Sequence, residues 1–281
     1  MKRILCIQDL SAVGRTSLAV AAPVLSVMGC QCCPLPAALL STHMGGFDPI
    51  ERLDTTDFFA GALSAYRAQG IVFDAVCTGY LSSPRQAAIA AAELAASAGA
   101  LRVVDPAMAD NGRLYGGFDG AMVAAMKTLA AAADVLTPNA TEAALLAGEE
   151  PRARWEAADA AALCDRLAQQ YGARVVITGL PLADGGMICQ GRGSAAWENF
   201  TLRCSYVDET YPGTGDLFCA VLVGALMRGN ALQSAAELAL RFVEGAVKAT
   251  YAQGTDPRFG VEFEPRLSEL LPPREEPRWE R

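Results

Sequence analysis

A chain of 281 residues with 52% hydrophobic and only 19% charged residues can bury a large core within a single α/β domain. Its formal net charge is −8 and no basic stripe is present, which argues against a nucleic-acid partner and against binding to an anionic membrane surface. No apolar stretch reaches the length of a membrane span, and the first residues lack a signal-peptide pattern. We therefore expect a cytoplasmic protein whose nine scattered cysteines are free thiols.

Apolar runs alternate with helix signals along the whole chain. The predicted strands cover residues 3–7, 30–35, 74–78, 101–104, 135–136 and 174–178, followed by a hairpin of residues 186–189 and 195–202. The predicted helices cover residues 16–28, 57–69, 83 to the stop at Gly99, 119–133, 140–147, 155–171, 217–227 and 232–251. This alternation predicts βαβ units and a mostly parallel sheet with helices on both faces, to which the hairpin adds antiparallel strands.

The sequence predicts a single domain with a short tail. No internal repeat or linker interrupts the first 270 residues, so we expect one domain over residues 1–271. The last residues, 272–281, are rich in proline and charge, and we expect them to form a flexible tail. The cluster Cys30-Gln31-Cys32-Cys33 lacks a second pair of cysteines or histidines at zinc spacing, which favours buried thiols over a metal site.

The most informative stretch is Gly213-Thr214-Gly215-Asp216, which precedes an apolar run that ends at Met227. A glycine turn at the start of a buried helix exposes unpaired N–H groups at the positive end of the helix dipole, and such a place binds anions. A carboxylate beside it suits a general base that takes the proton of a hydroxyl attacking a phosphate. The tetrapeptide also suits an ordinary helix start, and by itself it does not decide between the two.

Polar residues follow several of the predicted strands. They are Asp9, Tyr80, Asp105, Asp110, Asn139, Glu142 and Thr178. In parallel sheets the carboxyl ends of the strands share one edge, and ligands bind there. Asn139 and Glu142 also match a helix N-cap and its capping-box partner, a structural role that stays open at this point.

The ordered set of motifs resembles the ribokinase-like superfamily of small-molecule kinases, and within it the pyridoxal/pyridoxamine kinases. The matching segments are Ile7-Gln8, Ser41-Thr42-His43, Thr78-Gly79-Tyr80-Leu81, Asp105-Pro106-Ala107-Met108-Ala109-Asp110, Thr137-Pro138-Asn139-Ala140-Thr141-Glu142, Val176-Ile177-Thr178 and Gly213 to Phe218. They run in the family's order from about residue 3 to residue 255. The resemblance implies a three-layer α/β/α sandwich without a large lid, and an enzyme that transfers the γ-phosphoryl group of ATP to the 5′-hydroxymethyl group of a vitamin B6 vitamer.

The resemblance also implies the roles of individual residues. Asp216 would be the general base, and Gly213, Thr214 and Gly215 would offer backbone N–H groups to the transferred phosphoryl group. The implied ATP-binding residues are Asp105, Asp110, Asn139, Glu142, Thr178, Thr214 and Gly215, with Asp105 and Glu142 organising Mg²⁺, and K⁺ is expected to assist. The adenine is expected between the loop of residues 206–211 and the helix around residues 247–250. Family members suggest a homodimer.

The implied substrate residues include two departures from the family pattern. The set is Asp9, Ser11, His43, Met44, Tyr80 and Asp216. Asp9 stands where the family commonly has serine, and Met44 stands where it commonly has threonine. An ionised Asp9 can bind a ring hydroxyl, a protonated ring nitrogen or a substrate amine, and an amine would favour pyridoxamine. A cap of the turn at Ser11 is the alternative for Asp9, and the sequence leaves the preferred vitamer open.

Four other functions are compatible with parts of this pattern. A hydroxymethylpyrimidine kinase of the same fold shares the motif set. A sugar kinase would carry an inserted β lid, for which residues 29–55 are too short and too apolar. A non-catalytic binding protein is expected to have lost Asp216. A Rossmann dehydrogenase needs Gly-x-Gly-x-x-Gly, and residues 8–14 lack it.

Overall fold

The computed structural model describes residues 1–193, 199–205, 207 and 209–272. Its strands are β1 (Arg3–Val13), β2 (Gln31–Thr42), β3 (Arg52–Asp54), β4 (Ala75–Thr78), β5 (Leu101–Val104), β6 (Ala109–Asp110), β7 (Arg113–Leu114), β8 (Val135–Leu136), β9 (Arg174–Pro181), β10 (Met187–Arg192) and β11 (Asn199–Cys204). Its α-helices are α1 (Ser17–Val27), α2 (Thr56–Ala68), α3 (Pro84–Ala96), α4 (Gly120–Ala130), α5 (Ala140–Ala147), α6 (Ala157–Tyr171), α7 (Thr214–Met227) and α8 (Leu232–Gln253). Two 3₁₀ helices, Pro257–Phe259 and Glu264–Leu270, follow α8.

Nine of these strands form one sheet in the order β11-β10-β9-β8-β5-β4-β1-β2-β3. The six central strands from β9 to β2 are parallel, whereas β3, β10 and β11 pair antiparallel at the two edges. Strands β6 and β7 form a separate small hairpin. The predicted α/β fold with a mostly parallel sheet and antiparallel edge strands is confirmed.

Alternate residues of the central strands enter two different hydrophobic cores, because successive side chains of a strand point to opposite faces. Ile4 and Cys6 of β1 pack with α1, α7 and α8 on one face. Leu5 and Ile7 pack with α2 to α6 on the other face. The three layers place every helix start that follows a parallel strand at the same edge of the sheet.

The predicted elements are found in the predicted order, with differences at their ends. Strands β1 and β2 run on to Val13 and Thr42, well beyond the predicted ends at Ile7 and Leu35, because they pair with each other along nearly their whole length. Helix α7 starts three residues before the predicted start at Leu217, so the Gly-Thr-Gly-Asp segment forms its first turn. Strand β3, the β6–β7 hairpin and the two 3₁₀ helices were not predicted.

Some predictions fall partly outside the described residues. The predicted hairpin is present as β10 and β11, but residues 195–198 of its second strand lie outside the described part. The same is true of residues 206 and 208 in the predicted adenine loop and of residues 273–281 in the predicted tail. All nine cysteines are described, and none is in a disulfide. Within the described ranges, no helix is long and apolar enough to cross a membrane.

Candidate active site

A cavity of about 1000 Å³ opens along the carboxyl edge of the central strands. One end, which we call the β1 end, is lined by Asp9, His43, Met44, Tyr80 and Arg258 among others. The other, the hairpin end, lies between the β9–β10 region and α8 and is lined by Gly186, Cys204, Val243 and Val247 among others. The start of α7 lines the same cavity. The cavity is large enough to hold two small molecules side by side.

The start of α7 is an open helix N-terminus. Its N-cap is Gly213, whose φ of +81° is in the left-handed region, and a Cβ atom there would lie 1.9 Å from the backbone oxygen of Arg15. Glycine is therefore required for both the turn and the close approach. No described acceptor receives a hydrogen bond from the backbone N–H groups of residues 213–216. These groups point at the cavity with the positive end of the α7 dipole behind them.

Asp216 is the third residue of α7, and it lines the cavity beside these N–H groups. Asp216 is half-buried as a residue, and the protein around its carboxyl group excludes most of the water. This desolvation raises the pKa of Asp216 to about 7. The negative charge of Asp9 acts in the same direction, whereas hydrogen bonding from Ser17 lowers the pKa. A base whose pKa lies near neutrality is well suited to proton transfer at physiological pH.

Ser17 was not among the predicted site residues, yet it acts on two carboxylates. It is the first residue of α1 and has a φ of +48°, which is uncommon for a residue other than glycine. Its hydrogen bonding lowers the pKa of both Asp9 and Asp216. Nothing in the sequence signals this role, because it depends on how the start of α1 packs against the start of α7.

The predicted substrate residues at the β1 end lie close together. Asp9 is 4% exposed and accepts a hydrogen bond of 2.9 Å from the hydroxyl of Ser11, and burial raises the pKa of Asp9. The hydroxyl of Tyr80 lies 3.8 Å from the sulfur of Met44. The ring of Tyr80 stacks on Phe118, with 5.6 Å between the ring centroids. The result is an apolar and aromatic wall that faces one buried carboxylate.

His43 lines the cavity as predicted, but both of its ring nitrogens already have partners. Nδ1 accepts a hydrogen bond of 3.0 Å from the backbone N–H of Gly45, and Nε2 lies 2.6 Å from the backbone oxygen of Arg258. A carbonyl oxygen can only accept, so the proton must be on Nε2. The hydrogen-bonding capacity that we expected His43 to offer to a ligand is used within the protein.

Asn139 and Glu142 close the start of α5 with their own side chains. Oδ1 of Asn139 accepts hydrogen bonds from the N–H groups of Thr141 and Glu142, at 2.9 and 3.0 Å. The Glu142 carboxylate accepts from the N–H groups of Asn139 at 2.9 Å and of Met108 at 3.1 Å. The capping-box interpretation of this pair is thus confirmed. Burial of Glu142 raises its pKa to about 8, although the backbone N–H groups counteract this.

Two oxygen groups between the starts of α5 and α7 are suited to a hard cation. Asp105 is buried at the end of β5 and accepts no hydrogen bond from a described residue, and burial raises its pKa well above the ordinary value. Thr137 Oγ1 is buried and also lacks a partner among the described residues. Mg²⁺ and K⁺ take oxygen ligands of this kind, so the residues present fit the cations that the family resemblance implies. No group of three or more His, Cys, Asp or Glu in the described ranges forms a metal cage.

Two further lining residues were missed by the sequence reasoning. Tyr115 follows the β6–β7 hairpin, and burial among carboxylates including Asp105 and Glu142 raises its pKa, so its hydroxyl stays protonated. Arg154 lines the hairpin end, where its guanidinium donates a hydrogen bond of 3.0 Å to the backbone oxygen of Leu182. Neither residue follows a strand that the sequence predicted, so neither carried a signal in the sequence.

The remaining predicted residues also reach the cavity. Thr178, Asp110, Thr214 and Gly215 all line it. Asp110 is exposed and accepts a hydrogen bond of 2.8 Å from the N–H of Asn111. Val207, Tyr211 and Val247 lie at the hairpin end, where the adenine was predicted. The predicted binding roles of these residues stay predictions.

Comparison with known proteins identifies the same family. A family model described as phosphomethylpyrimidine kinase matches residues 24–259. The chain is 32% identical to a pyridoxine/pyridoxal/pyridoxamine kinase of Bordetella avium over 261 residues, which cover 88% of this chain and 85% of that protein.

Two crystal structures match over nearly their full length. One is a Bacteroides thetaiotaomicron protein described as a phosphomethylpyrimidine kinase and crystallised with pyridoxal, with a TM-score of 0.91, 36% identity and coverage of 96% of this chain and 95% of that one. The other is the pyridoxal kinase of Lactobacillus plantarum, with a TM-score of 0.89, 34% identity and coverage of 96% of both chains.

The family model covers most of the segments that line the cavity, from residue 24 near the end of α1 to Phe259, and the two crystal structures match nearly the whole chain. They agree with the ordered motifs and with the open start of α7 beside Asp216. The chain therefore belongs to the phosphomethylpyrimidine kinase family and, within the ribokinase-like superfamily, to the pyridoxal/pyridoxamine kinases.

Proposed function

We propose that this protein transfers the γ-phosphoryl group of ATP to the 5′-hydroxymethyl group of a vitamin B6 vitamer. The observation that carries the proposal is the position of Asp216, which lies at the open N-terminus of α7 and lines the same cavity as the residues of both ends. A base and an anion site are thereby adjacent, as phosphoryl transfer to a hydroxyl requires. The names of the relatives support the vitamer as acceptor.

In the proposed reaction the substrate hydroxyl oxygen attacks the γ-phosphorus while its proton moves to Asp216. The bond between the γ-phosphorus and its bridging oxygen breaks, and ADP leaves. The N–H groups of residues 213–216 stabilise the charge on the transferred group, and Tyr115 is a neutral donor that can reach the same region. Bound Mg²⁺ would supply further neutralisation of the triphosphate charge, with Asp105 and Thr137 as its nearest suitable oxygen groups.

The nucleotide would occupy the hairpin end. Its wall there is apolar on the α8 side, with Val243 and Val247, which suits an adenine ring. Arg154 and Arg258 are the cationic side chains that line the described cavity, and Arg258 is already paired with Asp256. Arg154 forms no ion pair with a described carboxylate, so its charge is available to a phosphate. The Leishmania donovani pyridoxal kinase, 25% identical, was crystallised with ADP and pyridoxamine, which supports a nucleotide as the second substrate.

The vitamer would occupy the β1 end. Tyr80 offers an aromatic face for the pyridine ring, and Met44 offers an apolar contact. Asp9 is the polar group there, and its buried carboxylate would bind the ring hydroxyl, the ring nitrogen or the substrate amine. A positively charged amine gains most from this carboxylate, so the proposal favours pyridoxamine over pyridoxal.

We also propose that the protein is a homodimer and is located in the cytoplasm. In β2, only the residues from Ala38 to Leu40 pair with β3, and the buried side chains of this strand are Leu35, Ala37, Ala38 and Leu40. The exposed apolar side chains Leu39, Leu53 and Phe58 beside the edge strand β3 are the better place for a second copy. Sedimentation velocity on the wild type and on Leu53→Lys tests this part.

The decisive experiment is an ATP-consumption assay with Mg²⁺ and K⁺, run separately with pyridoxamine, pyridoxal, pyridoxine and hydroxymethylpyrimidine. We expect turnover of a pyridine vitamer and a loss of roughly 10²–10⁴-fold in kcat for Asp216→Asn. Asp9→Ser should raise the KM for pyridoxamine more than that for pyridoxal. Turnover of the pyrimidine alone would overturn the substrate, and nucleotide binding without any turnover would favour a binding protein.

A further inference from the structure

The C-terminal segment of residues 255–260, which we call the strap, lies against the β1 end of the cavity. Pro257 and Arg258 of the strap line this end directly. The strap is separated by more than 200 residues from the loops that it contacts, so its position depends on side-chain and backbone contacts rather than on chain connectivity. Its contacts therefore bear on how the substrate is enclosed.

His43 makes the shortest contact with the strap. Its Nε2 lies 2.6 Å from the Arg258 backbone oxygen, while its Nδ1 accepts from the N–H of Gly45. The bond from Gly45 thus fixes the ring within the loop after β2, and the bond to Arg258 joins this loop to the strap. The ring is also wedged against Gly14, where an added Cβ atom would come within 2.4 Å of His43 Cδ2.

Aromatic contacts extend this connection. The His43 ring meets Phe47 edge-on at 5.1 Å between centroids, and Phe47 meets Phe259 of the strap edge-on at 5.6 Å. The guanidinium of Arg258 lies over the Phe47 ring at 5.4 Å. His43, Phe47 and Phe259 thus form a series of contacts, joined at Phe47 by Arg258, that fastens the strap to one wall of the cavity.

A second set of contacts fastens the strap near the start of α7. The backbone N–H of Arg15 donates to the oxygen of Phe259 at 3.2 Å, and Arg15 also pairs with Glu264 at 2.7 Å. The oxygen of the same Arg15 lies against Gly213. The strap consequently spans the gap between the loop that carries His43 and the turn that orients Asp216.

We propose that His43 is a positioning residue, whose neutral ring fastens the strap over the β1 end and thereby holds the vitamer against Asp216. The inference rests on the proposed function for the identity of the substrate. His43 takes no proton in the reaction. Its effect reaches the substrate through Pro257 and Arg258, which line the cavity.

The test is His43→Phe, which keeps a ring of similar size against Phe47 but removes both hydrogen bonds. We expect hydrogen exchange of the strap amides to accelerate about tenfold in the free protein, and the vitamer KM to rise about 3–10-fold, the range for loss of one or two hydrogen bonds. The kcat should fall less than about threefold, the ATP KM should change less than about twofold, and the pH profile of kcat should keep its shape.

Two further variants separate this role from a general loss of structure. Phe259→Ala removes another link of the same series, so its effect on the vitamer KM should not add to that of His43→Phe in the double variant. Glu269→Ala breaks the surface pair with Arg266 in the second 3₁₀ helix, away from the strap, and should change neither strap exchange nor the vitamer KM.

Unchanged strap exchange in His43→Phe overturns the proposal. So does a loss in kcat with an altered pH profile, which would make His43 an acid or base, or an equal rise in both KM values. If the wild type phosphorylates no vitamer, the proposed function fails, but strap exchange in the free protein still tests the role of His43.

Discussion

Helices α5 and α7 begin at the same edge of the sheet, and each has an acidic residue three positions after its N-cap. At α5 the N-cap is Asn139, and the carboxylate of Glu142 turns back to the backbone, so the helix start is closed. At α7 the N-cap is Gly213, which has no side chain, and Asp216 faces the cavity. The same spacing of a carboxylate thus stabilises one helix and prepares the other for chemistry. The residue at the N-cap decides which outcome occurs.

The largest effect should come from giving α7 a side chain at its N-cap. Gly213→Ala would place a Cβ atom 1.9 Å from the backbone oxygen of Arg15, which cannot move aside easily. We expect the turn to shift by about 1 Å and kcat/KM to fall at least about 10²-fold, because phosphoryl transfer depends on positioning. Steady-state kinetics and the melting temperature measure the two consequences.

The matched control is Gly229→Ala, at the opposite end of α7. Gly229 has a φ of +87°, but an added Cβ atom there meets nothing within 4 Å. Gly229→Ala therefore adds only the backbone strain of an alanine in the left-handed region, about 1–2 kcal/mol. If both variants lose activity equally, the close approach to Arg15 is not what makes Gly213 necessary.

The open start of α7 should also be visible in the pH dependence. Because the pKa of Asp216 is about 7, compared with 3.8 for an ordinary aspartate, kcat/KM should fall tenfold per pH unit below about pH 7. The folded protein binds this proton more tightly than the unfolded chain, so ionisation of Asp216 costs stability as the pH rises from about 4 to 7. Asp216→Asn should then raise the melting temperature at pH 8, by on the order of 5 °C, and not at pH 4. A variant that is less stable than the wild type at pH 8 would contradict this.

Since α5 is closed by its own side chains, the nucleotide must find positive charge elsewhere at the hairpin end. We expect Arg154→Ala to weaken ADP binding about 5–20-fold, as measured by calorimetry, while adenosine binding stays within twofold. Arg152→Ala is the matched control, because Arg152 pairs with Glu149 and Asp159 and lies over Trp155. Equal losses for ADP and adenosine would show that Arg154 only supports the shape of the wall.

The smallest effect should follow from opening α5. Asn139→Ala removes the two capping hydrogen bonds and the bond from Asn139 Nδ2 to the oxygen of Ala109, and should cost about 1–2 kcal/mol of unfolding free energy. Ser83→Ala removes a single, longer cap bond of 3.3 Å at α3 and should cost less. Denaturant unfolding of both variants measures the difference in unfolding free energy. An equal loss in both variants would mean that the cap of α5 stabilises the protein no more than the cap of α3.

The sequence predicts some of these features and not others. The order of strands and helices and the place of the Gly-Thr-Gly-Asp segment were predictable, because hydrophobic periodicity and glycine are local signals. The closed start of α5 was predictable as well, since a capping box has a fixed spacing. The additional length of β1 was not, because Gln8, Asp9 and Ser11 interrupt its apolar pattern and this part of the strand is extended through its pairing with β2.

The sequence could not predict the hydrogen-bond partners of His43, or that Tyr115 and Arg154 line the cavity, for another reason. His43 is satisfied by a backbone oxygen 215 positions away, and no pattern near residue 43 indicates this. Tyr115 and Arg154 reach the cavity because loops carry them there. The directions of side chains that are set by distant contacts cannot be derived from local spacing.

Helix α7 is buried along almost all of its length, from Leu217 to Ala225, between α1 and α8. Its first turn is therefore attached to the part of the molecule that opens only when the whole domain unfolds. Heating should not disable Asp216 while the rest of the fold survives. Residual activity and far-UV circular dichroism should decline together, with one common midpoint.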